Sequence, residues 1–197
     1  MKSMVASRTM NQVHGKVYLV GAGPGAPDLI TLRGARLLAR ADIVFHDALV
    51  HSDTLALAPQ AEKIAVGKRC GRHSTAQRFI NKRLIDAAQR FRTVVRLKGG
   101  DPMLFGRAQE EIDALQAAGV EFEVVSGVTA ALAASADLGV ALTRRGVSRS
   151  VLLATPRAGD GESANDWARG ACAADSAVLY MAAGQANEIA AALLACG

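Results

Sequence analysis

Aromatic residues are scarce, with one Trp, two Tyr and five Phe in 197 residues. A surface that binds single-stranded nucleic acid by stacking needs more of them. Cysteine is nearly as rare. Its three copies, Cys70, Cys172 and Cys196, are far apart, odd in number and free of any C-x-x-C. That argues against a secreted disulfide framework and leaves buried or idle thiols. The four histidines, at 14, 46, 51 and 73, lack paired ligand spacing, so no metal is expected. The opening MKSMVASRTMNQVHG has no apolar stretch of the signal-peptide kind and reads as a flexible tail over residues 1–15. No apolar run approaches the length that spans a bilayer, and a cytoplasmic protein with no membrane partner is expected. The formal charge is +5, but the basic residues are spread along the chain, with one local knot at Lys68, Arg69 and Arg72. A nucleic-acid surface clusters its charge more tightly. A site for a polyacidic small molecule fits this balance at least as well.

What the chain has in quantity is apolar residues, half of the total, enough for a sizeable core. Short apolar strands are expected at Val17–Val20, 42–46, Lys63–Val66, Thr93–Leu97 and Glu121–Val125. Helical patterns separate them over 31–40, 74–90, 107–118 and 128–138. In the second helical stretch Phe79, Ile80, Leu84 and Ala87 share a face while Arg78, Lys82 and Asp86 point away. Ser74 is its expected N-cap. Such alternation predicts a mostly parallel α/β sheet. Around Gly146–Arg149 the pattern restarts, with a strand over Ser150–Ala154, a Gly/Asp-rich loop and a helical patch near Trp167. A strand over Ala177–Met181 and an alanine-rich helix over 185–195 follow. The expected organisation is an N-terminal α/β domain over 16–146 and the start of a second α/β domain over 147–197. About 50 residues would leave that second domain incomplete.

Two glycine turns follow strands. The first, Gly21-Ala-Gly23-Pro-Gly25-Ala26, passes as a dinucleotide fingerprint, and Asp47 lies at about the right distance for a ribose acid. That mechanism needs a helix to begin inside the turn, facing the pyrophosphate. Here Pro24 and Pro27 interrupt, and Thr31 is the better N-cap. A wide turn, not wrapped around phosphate, is expected. The second turn, Arg96-Leu-Lys-Gly-Gly-Asp-Pro-Met-Leu-Phe-Gly-Arg107, sits at the carboxyl end of a strand, where ligands bind in open α/β sheets. Its paired glycines admit close backbone approach, Asp101 supplies a carboxylate acceptor and Pro102 stiffens the exit.

At these residues the chain resembles the tetrapyrrole methylases, and within them the S-adenosyl-methionine-dependent uroporphyrinogen III C-methyltransferases. The matching pieces run in order from residue 16: VGAGPGAPDLITLRG (20–34), ADIVFHDALV (41–50), VGKRCGRHSTAQRFIN (66–81), VVRLKGGDPMLFGR (94–107), VVSGVTAALAASADLGVALTRRGVSRSV (124–151) and VLYM (178–181). The resemblance implies two α/β domains with the active site in the cleft between them, usually in a homodimer. It implies that S-adenosyl-L-methionine, the co-substrate, is contacted by Pro24, Gly99, Gly100, Asp101, Leu104, Thr129, Ala130 and Met181. Backbone groups, one carboxylate and a few apolar side chains suit a nucleoside with a sulfonium and an amino-acid end. The implied substrate is a tetrapyrrole polycarboxylate, with Arg107 as a natural carboxylate partner. The implied reaction methylates two pyrrole carbons to give precorrin-2, in sirohaem- or cobalamin-type biosynthesis. Asp47 occupies the family's base position and Lys68 the position of its proton donor. Ala108-Gln109, Ser126, Asp137, Arg144 and Thr155-Pro-Arg157 differ from the usual family pattern. A related methylase for a later corrin intermediate, and a non-catalytic binding paralogue, are the alternatives.

Overall fold

The computed structural model describes residues 15–66, 77–159 and 166–196. Contacts divide the chain into two compact units, one up to Ala130 and the other from Ala131 onward. The first contains β1 (Lys16–Gly21), α1 (Leu32–Ala39), β2 (Ile43–His46), α2 (Ser52–Ala56) and β3 (Glu62–Ala65). It continues through α3 (Gln77–Ala88), β4 (Thr93–Lys98), α4 (Ala108–Ala117) and β5 (Phe122–Val125). The five strands form one sheet in the order β3-β2-β4-β1-β5, and every pairing is parallel.

This arrangement follows from which strands are apolar throughout. A parallel strand covered on both faces reads as a continuous apolar run. β1 and β4 occupy the interior of the sheet, and β4 is buried from Val94 to Lys98. One face packs Val17, Phe45 and Val94 against Ile80 and Leu84 of α3 and Ile112 and Leu115 of α4. The opposite face packs Val20, Val44 and Leu97 against Leu37 and Leu38 of α1. β3, at an edge, is mostly exposed.

The expected strands and helices are present. Three short elements were not anticipated: 3-10 turns over Pro27–Leu29 and Ala183–Gln185, and the helix α2. Five residues give too little periodicity to be read, and α2 is capped by a ring nitrogen of His51 accepting from the Asp53 amide at 3.2 Å. The expected cap Ser74 lies outside the described residues.

The second unit contains most of α5 (Ala130–Leu138), then β6 (Val151–Ala154), α6 (Trp167–Ala173), β7 (Ser176–Leu179) and α7 (Ala186–Cys196). β6 and β7 pair in parallel, and α6 packs on β6 and α7. Division by packing places nearly all of α5 in this unit, whereas the strand pattern of the sequence restarts later, at β6. Among the described residues, no helix is long and apolar enough to cross a membrane.

Candidate active site

Three loops meet at the carboxyl ends of β1, β4 and β5. Gly21, the last residue of β1, is in register with Lys98, and the pairing continues into the turns. The Ala22 amide donates to the Lys98 carbonyl at 2.7 Å, and Gly23 and Gly100 exchange both backbone hydrogen bonds, at 3.2 and 2.7 Å. The loop after β5 joins them through Gly127, whose amide donates to Asp101 Oδ2 at 2.9 Å. Only glycine allows this approach. A Cβ on Gly21 would lie 2.5 Å from the Gly127 Cα, and one on Gly127 would lie 2.2 Å from the Gly100 carbonyl oxygen. Gly100 itself needs a left-handed backbone, with φ of 68°. A small-residue floor at the carboxyl edge of a parallel sheet, where the strand order reverses about β1, is a ligand position of open α/β folds.

The first turn is not a phosphate nest. After Gly21 the chain runs through Pro24 and the Pro27–Leu29 turn, and α1 starts only at Leu32. Thr31 caps it, its hydroxyl accepting from the Gly34 amide at 3.1 Å. The helix N-terminus is therefore one full loop away from the glycines, as the prolines predict.

Asp101 faces inward to its own fold. Oδ1 accepts from the Met103 amide at 2.8 Å while Oδ2 holds Gly127. Leu104 follows in the same turn, its amide donating to the Asp101 carbonyl at 3.3 Å. Among the described residues the non-glycine positions with positive φ are Phe105, Arg107 and Met181, at 52°, 54° and 57°. Two lie in the segment after Asp101, and the third is itself a candidate donor contact. Such backbone strain concentrates at functional sites.

Asp47 follows β2 directly. Its amide donates to the Leu97 carbonyl at 3.3 Å, and its Oδ1 accepts from Arg96 Nη2 at 2.5 Å. Leu49 in the same loop lies beside Gly99, where a Cβ would meet the Leu49 Cβ at 3.2 Å. The Asp47 loop and the Gly99-Gly100 turn are thus neighbours. Arg107, exposed, stands at the N-cap position of α4 and grips Glu110 with two parallel bonds of 2.7 and 2.8 Å. Those bonds hold the Glu110 carboxyl below its usual range.

The structure therefore brings together Asp47, Gly99, Gly100, Asp101, Leu104 and the turn containing Pro24, with Thr129 and Ala130 just beyond Gly127. Met181 lies in the second unit, exposed, directly after Tyr180. Lys68 lies outside the described residues, as do Arg69, Arg72 and Cys70.

Sequence reading missed a buried ionic cluster beneath this edge. Arg96 and Lys98 of β4 are each 3% exposed and Glu111 of α4 is fully buried. Glu111 accepts from Arg96 Nε and Lys98 Nζ, both at 3.0 Å. Burial alone would lower the Arg96 pKa, but Asp47 and Glu111 outweigh it and the guanidinium stays charged, above its ordinary value. For Lys98 burial prevails, aided by the Arg96 charge, and its pKa falls below that of an ordinary lysine. The signal was available: two cations spaced i, i+2 in an otherwise apolar central strand require buried carboxylates. Among the described residues, no group of three or more His, Cys, Asp or Glu side chains could hold a metal ion.

A doubly covered parallel sheet, glycine turns converging at its carboxyl edge and a helix N-terminus withdrawn from them define an α/β protein built for a ligand other than a dinucleotide. The chain belongs to the tetrapyrrole (corrin/porphyrin) methylases, whose family profile matches residues 16–197. It is 46% identical over 183 residues to a uroporphyrinogen-III C-methyltransferase of Pseudomonas aeruginosa, covering 93% of this chain and 74% of that one. A siroheme synthase of Sodalis glossinidius is also 46% identical, over 91% of this chain, and this chain spans only 38% of that protein's length. Among solved structures, uroporphyrin-III C-methyl transferase of Thermus thermophilus complexed with S-adenyl homocysteine superposes with a TM-score of 0.79. It is 42% identical, with 93% of this chain and 73% of that chain covered.

Proposed function

We propose that this protein is an S-adenosyl-methionine-dependent uroporphyrinogen III C-methyltransferase that methylates C2 and C7 to give precorrin-2. The observation that carries this reading is the mutual approach of Gly21, Gly100 and Gly127, so close that a Cβ on Gly21 or Gly127 would strike the backbone of its neighbours. The relative from Thermus thermophilus in complex with S-adenyl homocysteine supports it.

The donor supplies an electrophilic sulfonium methyl. Around it the turn with Pro24, the half-buried Gly99 and Gly100, Leu104, Thr129 and Ala130 would provide close backbone approach and an apolar wall. Asp101 acts on the site by tying the β4 and β5 turns together, with both oxygens engaged by backbone amides. The family resemblance also assigns Met181 to the donor. Asp47 is the proposed proton acceptor for the bridge carbon beside the new bond, and Lys68 the proton donor. Arg107 is the proposed partner of a substrate carboxylate. To bind one it would exchange its grip on Glu110, a carboxylate-for-carboxylate replacement that its planar fork permits.

The reading extends to sirohaem- or cobalamin-type biosynthesis, a cytoplasmic setting, a homodimer, and a second α/β domain opening at residue 147. The deciding experiment is anaerobic incubation with uroporphyrinogen III and methyl-labelled donor, followed by product mass. Two methyl groups per macrocycle are expected. No label transfer would reject the reading, and transfer confined to a later corrin would replace the substrate.

A further inference from the structure

β4 carries Arg96 and Lys98 on the sheet face that also holds Val94 and packs against α3 and α4. The two cations lie where an unpaired charge is not tolerated. Glu111 divides its oxygens between them, Oε1 to Arg96 Nε and Oε2 to Lys98 Nζ, each at 3.0 Å, and Gln77 Nε2 adds a bond of 3.2 Å to Oε1. The rest of the guanidinium is fixed as well. Nη1 donates to the Leu97 carbonyl at 3.1 Å, and Nη2 donates to Asp47 Oδ1 at 2.5 Å.

We propose that Arg96 is the positioning residue for Asp47, and that Glu111 acts one step behind it by clamping the guanidinium plane. The inference rests on the proton-acceptor role proposed for Asp47. The carboxylate sits on a loop, with its side chain 27% exposed, and would otherwise be free to change rotamer. Arg96 holds one oxygen and leaves Oδ2 without a hydrogen-bond partner among the described residues. A base must lie within hydrogen-bond reach of the proton it takes, and displacement by about 1 Å can cost on the order of 10²-fold in rate. A lysine at position 96 would keep the charge but not the fork. It could bond Glu111 or Asp47, not both in the present planes.

The test is a double-mutant cycle on kcat for methyl transfer, using Arg96→Gln, Arg96→Lys, Asp47→Asn and the combined variants. Arg96→Gln leaves the Lys98–Glu111 pair charge-balanced in the interior. In the parent background either Arg96 variant is expected to lower kcat by about 10–100-fold. With Asp47→Asn already present, the same change should cost less than about twofold, because the two residues act as a unit. S-adenosyl homocysteine affinity, measured by calorimetry, should change by less than about threefold, since the clamp touches no donor contact. An equal loss of kcat in both backgrounds would make Arg96 a general scaffold residue and overturn the proposal. So would failure of both Arg96 variants to fold while Asp47→Asn folds. If the parent transfers no methyl group, the proposed reaction fails, and the clamp is judged on unfolding midpoints of the same cycle. Non-additive midpoints retain it, and additive ones reject it.

Discussion

At the scale of the residue, backbone approach and buried charge set what can be changed. Gly127 leaves no room for a methyl group, because the obstacle is the Gly100 carbonyl, which is itself held by Gly23. Gly127→Ala should destabilise the first unit by about 1–3 kcal/mol, the usual cost of overpacking, and should abolish S-adenosyl homocysteine binding. Denaturant unfolding and calorimetry on one preparation check both. Glu111→Gln tests the opposite case, loss of a charge with little change of shape. It leaves Arg96 bonded to Asp47 and removes the carboxylate that holds the buried Lys98 ammonium, and should cost about 3–5 kcal/mol. A midpoint close to the parent would mean that the interior rehydrates or that Lys98 gives up its proton. The turn residues were legible in the sequence because glycine and proline carry their conformational meaning locally. Arg96, Lys98 and Glu111 were not recognised as a cluster, because the partner of Lys98 is thirteen residues away on another element and no local pattern names it.

At the scale of the element, the fold uses the same acidic device twice. Asp42, just before β2, accepts the amides of Arg92 and Thr93 where β4 begins, at 3.0 and 2.8 Å. Asp175, just before β7, accepts the amides of Arg149 and Ser150 where β6 begins, at 2.8 and 2.9 Å, with the Ser150 hydroxyl at 2.8 Å. In each case an acid preceding one strand satisfies the amides that open its parallel neighbour, fixing register at the end remote from the glycine turns. The Asp175 carboxyl is held below its ordinary value of 3.8 by these bonds, the Arg149 amide first. The folded state therefore binds the proton less readily than the unfolded chain does. The resulting stability is fully present above 3.8 and is lost as pH falls through the lower folded value. Asp175→Asn should flatten the acid limb of β6–β7 unfolding below that pH and lower its stability at neutral pH. An unchanged acid limb, followed by hydrogen exchange of the β6 amides, would refute this role. Thr31→Ala, which removes the cap of α1, should cost about 1 kcal/mol, read from thermal unfolding. Strand positions were most legible where a strand is a short apolar run bounded by turn residues, as β2 is. The helix α2 was not legible, since its cap is a histidine, outside the usual capping set.

At the scale of the whole molecule, the two units differ in how much apolar surface each withdraws from water. Apart from Ala131 and Ala171, every buried apolar residue described lies in the first unit. The second presents Leu138, Val140, Val147 and Leu194 to solvent, each more than 60% exposed, and α7 has no buried residue. Its two-stranded sheet leaves one side of each strand without a backbone partner among the described residues. Regions with few buried contacts open at low free energy, whereas core strands open only with global unfolding. Hydrogen exchange followed by mass spectrometry should therefore find the amides of β6, β7 and α7 exchanging well before those of β1 and β4. Added S-adenosyl homocysteine separates the contribution of the site from that of the fold. A ligand bound only by the folded state stabilises it by about 2.7 kcal/mol at a hundredfold excess over Kd. The extra protection should be greatest at residues 21–25, 98–101 and 126–129, the three turns that meet through Gly21, Gly100 and Gly127. Protection confined to any one of these turns would mean that the ligand sits elsewhere and that their convergence serves only to close the sheet edge.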